Sequence, residues 1–169
     1  MKLEIDNRLG RYQIRATTLR RAAAAMGRRL GLPADTRVSL VLCSIPVLSR
    51  LGDRHFGRPG ETDIIAFPTG FPGLPGLLGE LWIAPDTVAR NGLKYGKGLE
   101  GEFLFVFAHG LLHLLGEDDA TERQRSAMFA RQEQLVAACP RRSGQRCVVI
   151  ERTGSRRAIA SPRRGGAGR

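Results

Sequence analysis

The chain has 169 residues, which suits one domain with a single core, and its 27 Lys and Arg outnumber its 16 Asp and Glu. No apolar run is long enough to span a bilayer, and the N-terminal MKLEIDNRLGRYQIR has charges where a signal peptide needs its apolar stretch. Composition therefore argues against a membrane protein and predicts a soluble protein of the cytoplasm. The three cysteines lack a CxxC pair, which argues against a disulfide framework and a thiolate metal site.

The first quarter of the chain predicts a strand and a helix. A short strand is expected in LEID or in YQIR. Thr17 or Thr18 then caps a helix through LRRAAAAMGRRLGL, because alanines favour helix and Gly31 suits its end. The arginines of this helix could form a solvated face or part of a surface that faces RNA.

The middle of the chain predicts two further strands and a short helix. Arg37–Ile45, RVSLVLCSI, is rich in β-branched residues, and Cys43 within it is expected to be a small buried residue. Ser44 and Pro46 then open a short helix through VLSRLGDRHF. Thr62–Pro68, TDIIAFP, predicts a buried strand, and GFPGLPG after it is a turn-rich connector.

The remaining elements are one strand and three helices. Leu77–Ala84 predicts a strand, and Pro85 with Asp86 begins a helix through DTVARNGLKYGKG. A long helix is expected from about Glu100 to Leu115, and an amphipathic helix from about Thr121 to Ala138. Four residues of the last helix are expected to dock on the core: Met128, Phe129, Leu135 and Val136. The predicted fold class is α+β, a single domain in which a small mixed β-sheet is covered by helices and a central helix bears two histidines.

Those two histidines lie four residues apart in the run HGLLHLLGEDD. On a helix this spacing places His109 and His113 on one face, about one turn apart, where both imidazoles can reach one cation. Gly116 can end the helix so that an acidic residue returns toward the pair. We expect Asp119 to be the third ligand, because this spacing is typical of zincin-like sites, which leave a fourth position open for water.

Other interpretations of this run remain open. Glu117 or Asp118 could take the place of Asp119. The histidines could also be ordinary helix residues beside a leucine-rich core face, with the acids as a solvated cap. Two imidazoles and a carboxylate would suit iron, nickel or manganese as well as zinc. A peptidase is disfavoured, because Gly110 stands where a zincin peptidase carries its glutamate base.

Most of the excess positive charge lies in one segment. Residues 140–169 hold nine of the Lys and Arg and one acid, so this tail has a charge of +8 and residues 1–139 a charge of +3. The tail is rich in Arg, Gly and Ser, and its apolar patch CVVI is too small for a core, so we expect it to be disordered in isolation. Such a tail attracts RNA by neutralising phosphates, or it could be a solubilising segment without a dedicated ligand.

Four segments resemble one family. HGLLHLLGEDD resembles the HGxLHLxGYDH signature of the YbeY family, single-domain, zinc-dependent endoribonucleases implicated in ribosomal RNA maturation and ribosome quality control. TDIIAFP resembles the family's TDVLSFP, GELWIAPDTVARNG its GDI-x-I strand and following helix, and MFARQEQLV its M-x-x-x-QE helix. The match covers about residues 37–138, is looser before them, and is absent beyond Pro140. It implies one zinc ion per chain, bound by His109, His113 and Asp119.

The chain departs from the family pattern at two places. The family's third histidine ligand falls on Asp119, and its tyrosine falls on Glu117. A carboxylate can bind zinc through oxygen, but it makes the site more negative, which should weaken the Lewis acidity of the zinc and raise the pKa of its water. Upstream, the family's Y-R-G-K-D is replaced by HFGRP, and the arginine credited with the family's RNA chemistry falls on Phe56.

Arg54 and Arg58 are the candidates to supply that positive charge and contact RNA, although either could be a solvated loop arginine. His55 is expected to be a packing or surface residue. The resemblance implies an enzyme domain at residues 1–139 that cleaves single-stranded RNA in ribosomal RNA processing, with ribosomal RNA or ribosomal subunits as partners. One alternative is a ribosome-associated RNA-binding factor with a structural metal and weak or no catalysis. Another is a metal-dependent hydrolase of a different small substrate.

Overall fold

The protein is described by a computed structural model that covers residues 1–57, 60–69, 76–140 and 149–153. Its strands are β1 (Lys2–Asn7), β2 (Tyr12–Ile14), β3 (Arg37–Leu42), β4 (Ile64–Pro68), β5 (Leu77–Ile83) and β6 (Ile150–Arg152). Its helices are α1 (Ala16–Arg29), α2 (Ile45–Phe56), α3 (Pro85–Lys94), α4 (Gly98–Leu114) and α5 (Glu122–Ala137). The predicted α+β class is confirmed, and both segments considered for the first strand form strands.

Four strands make one mixed sheet in the order β1-β3-β5-β4. β1, β3 and β5 are parallel, whereas β4 pairs antiparallel with β5 at the edge. Alternate side chains point to opposite faces of a strand. Leu40, Leu81 and Ile64 therefore share the face that packs against α1, α4 and α5. Ile65 and Trp82 lie on the other face, in a smaller apolar cluster with α2.

The central helix α4 lies deep in the larger cluster. Phe103, Phe107 and Leu111 are fully buried along it, which explains why its sequence is apolar on nearly every side. Near its C-terminal end the helix approaches the sheet at Gly110. A Cβ atom there would lie 2.7 Å from Leu81 Cδ2 and would also collide with Ile64 Cδ1. This close approach sets the position of the histidines on either side of Gly110.

Two local predictions are wrong. Neither Thr17 nor Thr18 caps α1, because the helix begins at Ala16 and its N-cap is Arg15. Among the described residues, the side chain of Arg15 forms no capping hydrogen bond. The backbone N–H of Arg15 donates to the carbonyl of Val149 at 3.0 Å, so a distant part of the chain sets this helix start. Phe129 is 47% exposed and packs edge-to-face on Phe105 instead of docking in the core.

Other predictions for these segments are confirmed. Met128 and Leu135 are buried in the core, and Val136 packs against it. Cys43 is buried, as expected. α5 begins with a capping box in which Thr121 and Gln124 exchange side-chain and backbone bonds. In the part of the chain that the structure covers, no helix is both long and apolar enough to cross a membrane.

Residues 149–153 of the basic tail belong to the fold. β6 pairs antiparallel with β2, and Val149 and Ile150 are buried in the main cluster. Arg15 also forms an ion pair with Glu151 at 3.0 Å. The CVVI patch is too small to form a core by itself. Its residues Val149 and Ile150 are stabilised here by burial against the main cluster. Residues 141–148 and 154–169 of the tail lie outside the described part of the chain, as do residues 70–75 of the predicted connector.

Candidate metal centre

The chain reverses direction immediately after α4, and Gly116 makes the reversal possible. Its φ of 84° lies in the left-handed region that glycine adopts without strain. The N–H of Gly116 donates to the carbonyl of His113 at 3.0 Å, and the N–H of Glu117 donates to that of Leu112 at 3.0 Å. This pair of bonds is the Schellman ending of a helix. The predicted role of Gly116 is thereby confirmed, and the acidic residues return toward the last turn of α4.

The reversal brings His109, His113 and Asp119 together. The Nε2 atoms of the two histidines lie 2.9 Å apart. The Asp119 carboxylate lies 3.9 Å from His109 Nε2 through Oδ2 and 3.8 Å from His113 Nε2 through Oδ1. One donor atom from each residue falls within 4.8 Å of the other two, so the group could hold a metal ion.

The two other acids considered for the third position point elsewhere. The carboxylate of Glu117 forms an ion pair with Arg131. Asp118 Oδ1 accepts a hydrogen bond from the backbone N–H of Asp119 at 2.8 Å. Among the described residues, Asp119 is therefore the acid that joins the two histidines.

The hydrogen bonds of His113 test whether the group fits a cation. His113 Nδ1 lies 2.9 Å from the backbone oxygen of Glu117. A carbonyl can only accept, so Nδ1 carries the proton and donates it, which leaves a lone pair on His113 Nε2. That lone pair faces His109 Nε2. Two imidazole nitrogens and a carboxylate converging in this way fit a divalent cation, since tetrahedral zinc would require nitrogens roughly 3.3 Å apart, close to the observed spacing.

The surroundings of His109 favour its neutral form. Burial lowers its pKa below the usual value of 6.5, and the neighbouring imidazole of His113 lowers it further. The carboxylates of Asp119 and Asp63 oppose this effect. A metal ligand must be unprotonated, so a lowered pKa keeps His109 available as a ligand at mildly acidic pH.

The environment of Gly110 supports the argument against a peptidase. The sequence places glycine where a zincin peptidase has its glutamate base, and the structure supplies a physical reason. Any side chain at this position would meet Leu81 and Ile64 of the sheet, so α4 could not pack as closely as it does. The base of a zincin peptidase is therefore absent from this position.

Of the two arginines predicted to contact RNA, the structure describes Arg54. Arg54 is exposed in the last turn of α2, whose apolar side chains pack on the sheet face opposite α4. Arg58 lies outside the described residues. His55 is exposed and packs edge-to-face on Phe67 with ring centroids 5.2 Å apart, which agrees with the expected packing or surface role.

Two other arginines, which sequence reasoning missed, lie next to the loop that carries Asp119. Arg125 donates from one guanidinium nitrogen to the backbone oxygens of Asp119 at 3.1 Å and Ala120 at 2.9 Å. Arg131 pairs with Glu117. The available signal was the T-x-x-Q start of α5 directly after the acidic run, because it places the basic residues of this helix beside the loop.

Comparison with known proteins agrees with this architecture. The family model described as Endoribonuclease YbeY matches residues 4–139. A Thermus thermophilus protein named Endoribonuclease YbeY is 38% identical over 122 residues, which are 70% of this chain and 87% of the relative. Another of that name from Nocardioides sp. is 39% identical over 101 residues, 55% of this chain and 68% of the relative.

Among solved structures, the solution structure of a Thermotoga maritima protein has the same fold. It is similar to this chain with a TM-score of 0.54, covering 85% of this chain and 99% of its own. At 21% sequence identity, the likeness concerns the fold alone. The extent of the family match, together with the relatives of that name, shows that the chain belongs to the YbeY family.

Proposed function

We propose that this chain is a zinc-dependent endoribonuclease that cleaves single-stranded RNA during ribosomal RNA processing and ribosome maturation in the cytoplasm. One observation carries the proposal: the donor atoms of His109, His113 and Asp119 converge on one point. The family supports RNA as the substrate, because its relatives are named endoribonucleases. Zinc is favoured because three nitrogen and oxygen ligands with an open fourth position are typical of catalytic zinc.

The residues of the site have separate tasks. A divalent cation held by these three ligands would supply Lewis acidity toward a phosphoryl oxygen and toward water. The Glu117 carbonyl keeps the His113 proton on Nδ1, so that Nε2 remains an electron-pair donor. Asp119 contributes negative charge, which offsets part of the charge of the cation.

Positive side chains around the loop suit a polyanionic substrate. Arg125 and Arg131 border it on α5, and both are solvent-exposed. Arginine binds phosphate oxygens in a fixed planar geometry, so these side chains favour the RNA backbone near the centre. Arg54 and Arg58 are further proposed contacts to RNA. We also propose that the basic residues of the 140–169 tail add affinity for ribosomal RNA that does not depend on sequence.

A comparison of two histidine variants tests the function. His113→Ala removes a proposed ligand, whereas His55→Ala removes an exposed histidine on α2 and serves as the matched control. We expect the wild type and His55→Ala to hold about one zinc per chain and to cleave single-stranded RNA but not its duplex. His113→Ala should lose both the zinc and the cleavage. The measurements are metal content by mass spectrometry and RNA cleavage on denaturing gels.

Two outcomes would contradict the proposal. Metal-free protein that cuts RNA as fast as zinc-loaded protein would exclude a metal-dependent mechanism. Stoichiometric zinc with RNA binding but no cleavage would favour the RNA-binding factor with a structural metal.

A further inference from the structure

The side of α4 that is open to solvent extends beyond the two histidines. Between Glu102 and Leu114, the residues of this helix that are not buried are Phe105, His109 and His113. They are spaced four residues apart, so they form one stripe, with Phe105 about 6 Å along the helix axis from His109. A strand of RNA bound at the candidate metal centre and running toward the start of α4 would therefore meet Phe105 next.

Phe105 belongs to a group of two aromatic rings and a lysine. The ring of Phe129 on α5 packs edge-to-face on Phe105, with centroids 5.0 Å apart. The ammonium group of Lys97, the N-cap residue of α4, lies 3.3 Å from the centroid of Phe105 and 5.4 Å from that of Phe129. Lys97 thus covers one face of Phe105, whereas Phe129 is 47% exposed. Phe129 is the ring of this group that is open to a ligand.

A buried carboxylate fixes the position of Lys97. The ammonium group lies 3.4 Å from Oε2 of Glu102, whose side chain is only 6% exposed. A buried carboxylate that loses its cation is strongly destabilised, so this ion pair holds the lysine beside the two rings. The side chain of Lys97 is itself 32% exposed, so an anionic ligand can also reach it.

We propose that Phe129 stacks on one base of a single-stranded RNA, in the nucleotide next to the phosphodiester group at the metal centre, and that Lys97 binds a phosphate of the same strand. The inference rests on the proposed RNA-cleaving function and deepens it, because it assigns a binding site to the neighbouring nucleotide.

The two kinds of side chain match the two parts of a nucleotide. An aromatic ring stacks on the flat face of any base, and an ammonium group binds phosphate. The bases of a duplex are already stacked on one another, so only an unpaired strand offers a free base to Phe129. This surface therefore favours single-stranded RNA without requiring a particular sequence. Arg125, one helical turn before Phe129 on α5, adds a second cation beside the loop that carries Asp119.

Two RNA strands of equal length and charge test the stacking. One is a short oligouridylate, and the other is an abasic strand with the same sugars and phosphates but no bases. Each carries a fluorescent label and is titrated with full-length protein in the presence of a chelator, so that binding is measured by anisotropy without cleavage. Phe129→Leu keeps an apolar side chain against Phe105 but removes the aromatic face, and Phe129→Tyr keeps that face. Phe56→Leu is the matched control, because Phe56 is 50% exposed and lies on α2, which packs on the opposite face of the sheet.

We expect Phe129→Leu to bind the oligouridylate about 5–150-fold more weakly than the wild type, the range that corresponds to losing one stacked base. Its affinity for the abasic strand should be unchanged, since the phosphate contacts remain. Phe129→Tyr and Phe56→Leu should prefer the oligouridylate over the abasic strand by the same factor as the wild type.

Lys97→Gln tests the phosphate contact. It should weaken the binding of both strands by the same factor and reduce the slope of log affinity against log salt concentration by about one. Lys97→Arg keeps the charge and should retain the wild-type slope. The double variant Lys97→Gln, Glu102→Gln removes the buried charge together with its partner, so it supplies the same measurement if Lys97→Gln does not fold. An unchanged salt slope in the folded variant would exclude the phosphate contact.

The stacking would be overturned if Phe129→Leu bound the oligouridylate as tightly as the wild type, or if it weakened both strands equally. The second result is expected of a ring that only joins α5 to α4. The same loss in Phe56→Leu would also overturn it, because any exposed ring would then have the effect. Zinc-loaded wild type that shows the base preference but does not cleave RNA would refute the proposed function and leave the stacking site in place. Normal cleavage by a wild type without the preference would refute the stacking site alone.

Discussion

At the scale of single residues, the chemistry of the site depends on how the two imidazoles differ. The pKa of His109 is lowered, chiefly by burial and then by the nearby ring of His113. His113 owes its orientation to the loop, through the carbonyl of Glu117. The HxxxH spacing predicted that both rings would reach one point. The reason is that four residues make about one helical turn. The carbonyl that orients His113 could not be predicted from that spacing.

The lowered pKa of His109 predicts how the stability of metal-free protein depends on pH. As the pH falls from 7.5 to 5, this histidine becomes protonated near its ordinary pKa in the unfolded chain. In the folded chain its pKa is lower, so its protonation requires a lower pH. The unfolded state then binds more protons, so the free energy of unfolding should decrease. His109→Asn should lose less stability over the same interval. Urea unfolding of chelator-treated protein at the two pH values measures the difference, and equal losses in both proteins would contradict the assignment.

At the scale of elements, the sequence pattern of α4 predicts a helix, but the packing contacts decide how closely that helix lies against the sheet. The sequence predicted a long central helix from about Glu100 to Leu115, which is confirmed. Its exact placement depends on Gly110, which lies against Leu81 and Ile64 of the sheet. Glycine is ordinarily unfavourable within a helix, so its presence here is explained by the close approach of helix and strand.

Gly110→Ala should therefore destabilise the protein by about 1–3 kcal/mol, because the added methyl group overpacks the contact between α4 and the sheet. Gly101→Ala lies on the same helix, where a Cβ would be 3.4 Å from Lys97 Cβ, and it serves as the control. We expect that variant to be unchanged or more stable by about 0.4–1 kcal/mol, since alanine restricts the unfolded chain. Urea unfolding of both variants measures the contrast. Equal stability of the two would show that the sheet accommodates the methyl group.

At the scale of the whole molecule, the two ends of the described chain meet. β2 and β6 form a two-stranded sheet, and Thr153 donates from its backbone to the carbonyl of Arg11 at 2.8 Å. Next to this sheet, Tyr12 donates its hydroxyl to Asp86 at 2.8 Å, which ties β2 to the start of α3. The segment that follows α5 thus takes part in the core of the domain.

Ile150→Ala should lower the free energy of unfolding by about 2–5 kcal/mol, the usual cost of truncating a buried aliphatic side chain. Arg152→Ala, two residues later and exposed, is the control and should cost about 0.5 kcal/mol or less. Thermal and urea unfolding of the full-length variants supply the measurement. If both substitutions had the same small effect, β6 would contribute nothing to the stability of the domain.

The sequence by itself determined the features that depend on near neighbours: the α+β class, the helix that carries both histidines, and the glycine that ends it. Helical period and the left-handed conformation of glycine act within a few residues, so they can be read from a short stretch. Only the tertiary structure decided that Arg15 is the N-cap of α1, that Val149 and Ile150 are buried, and that the Gln132 amide bonds to the carbonyl of Phe105. Each of these depends on surfaces made by distant segments, and a side chain gains from burial or a hydrogen bond only after folding has brought its partner alongside.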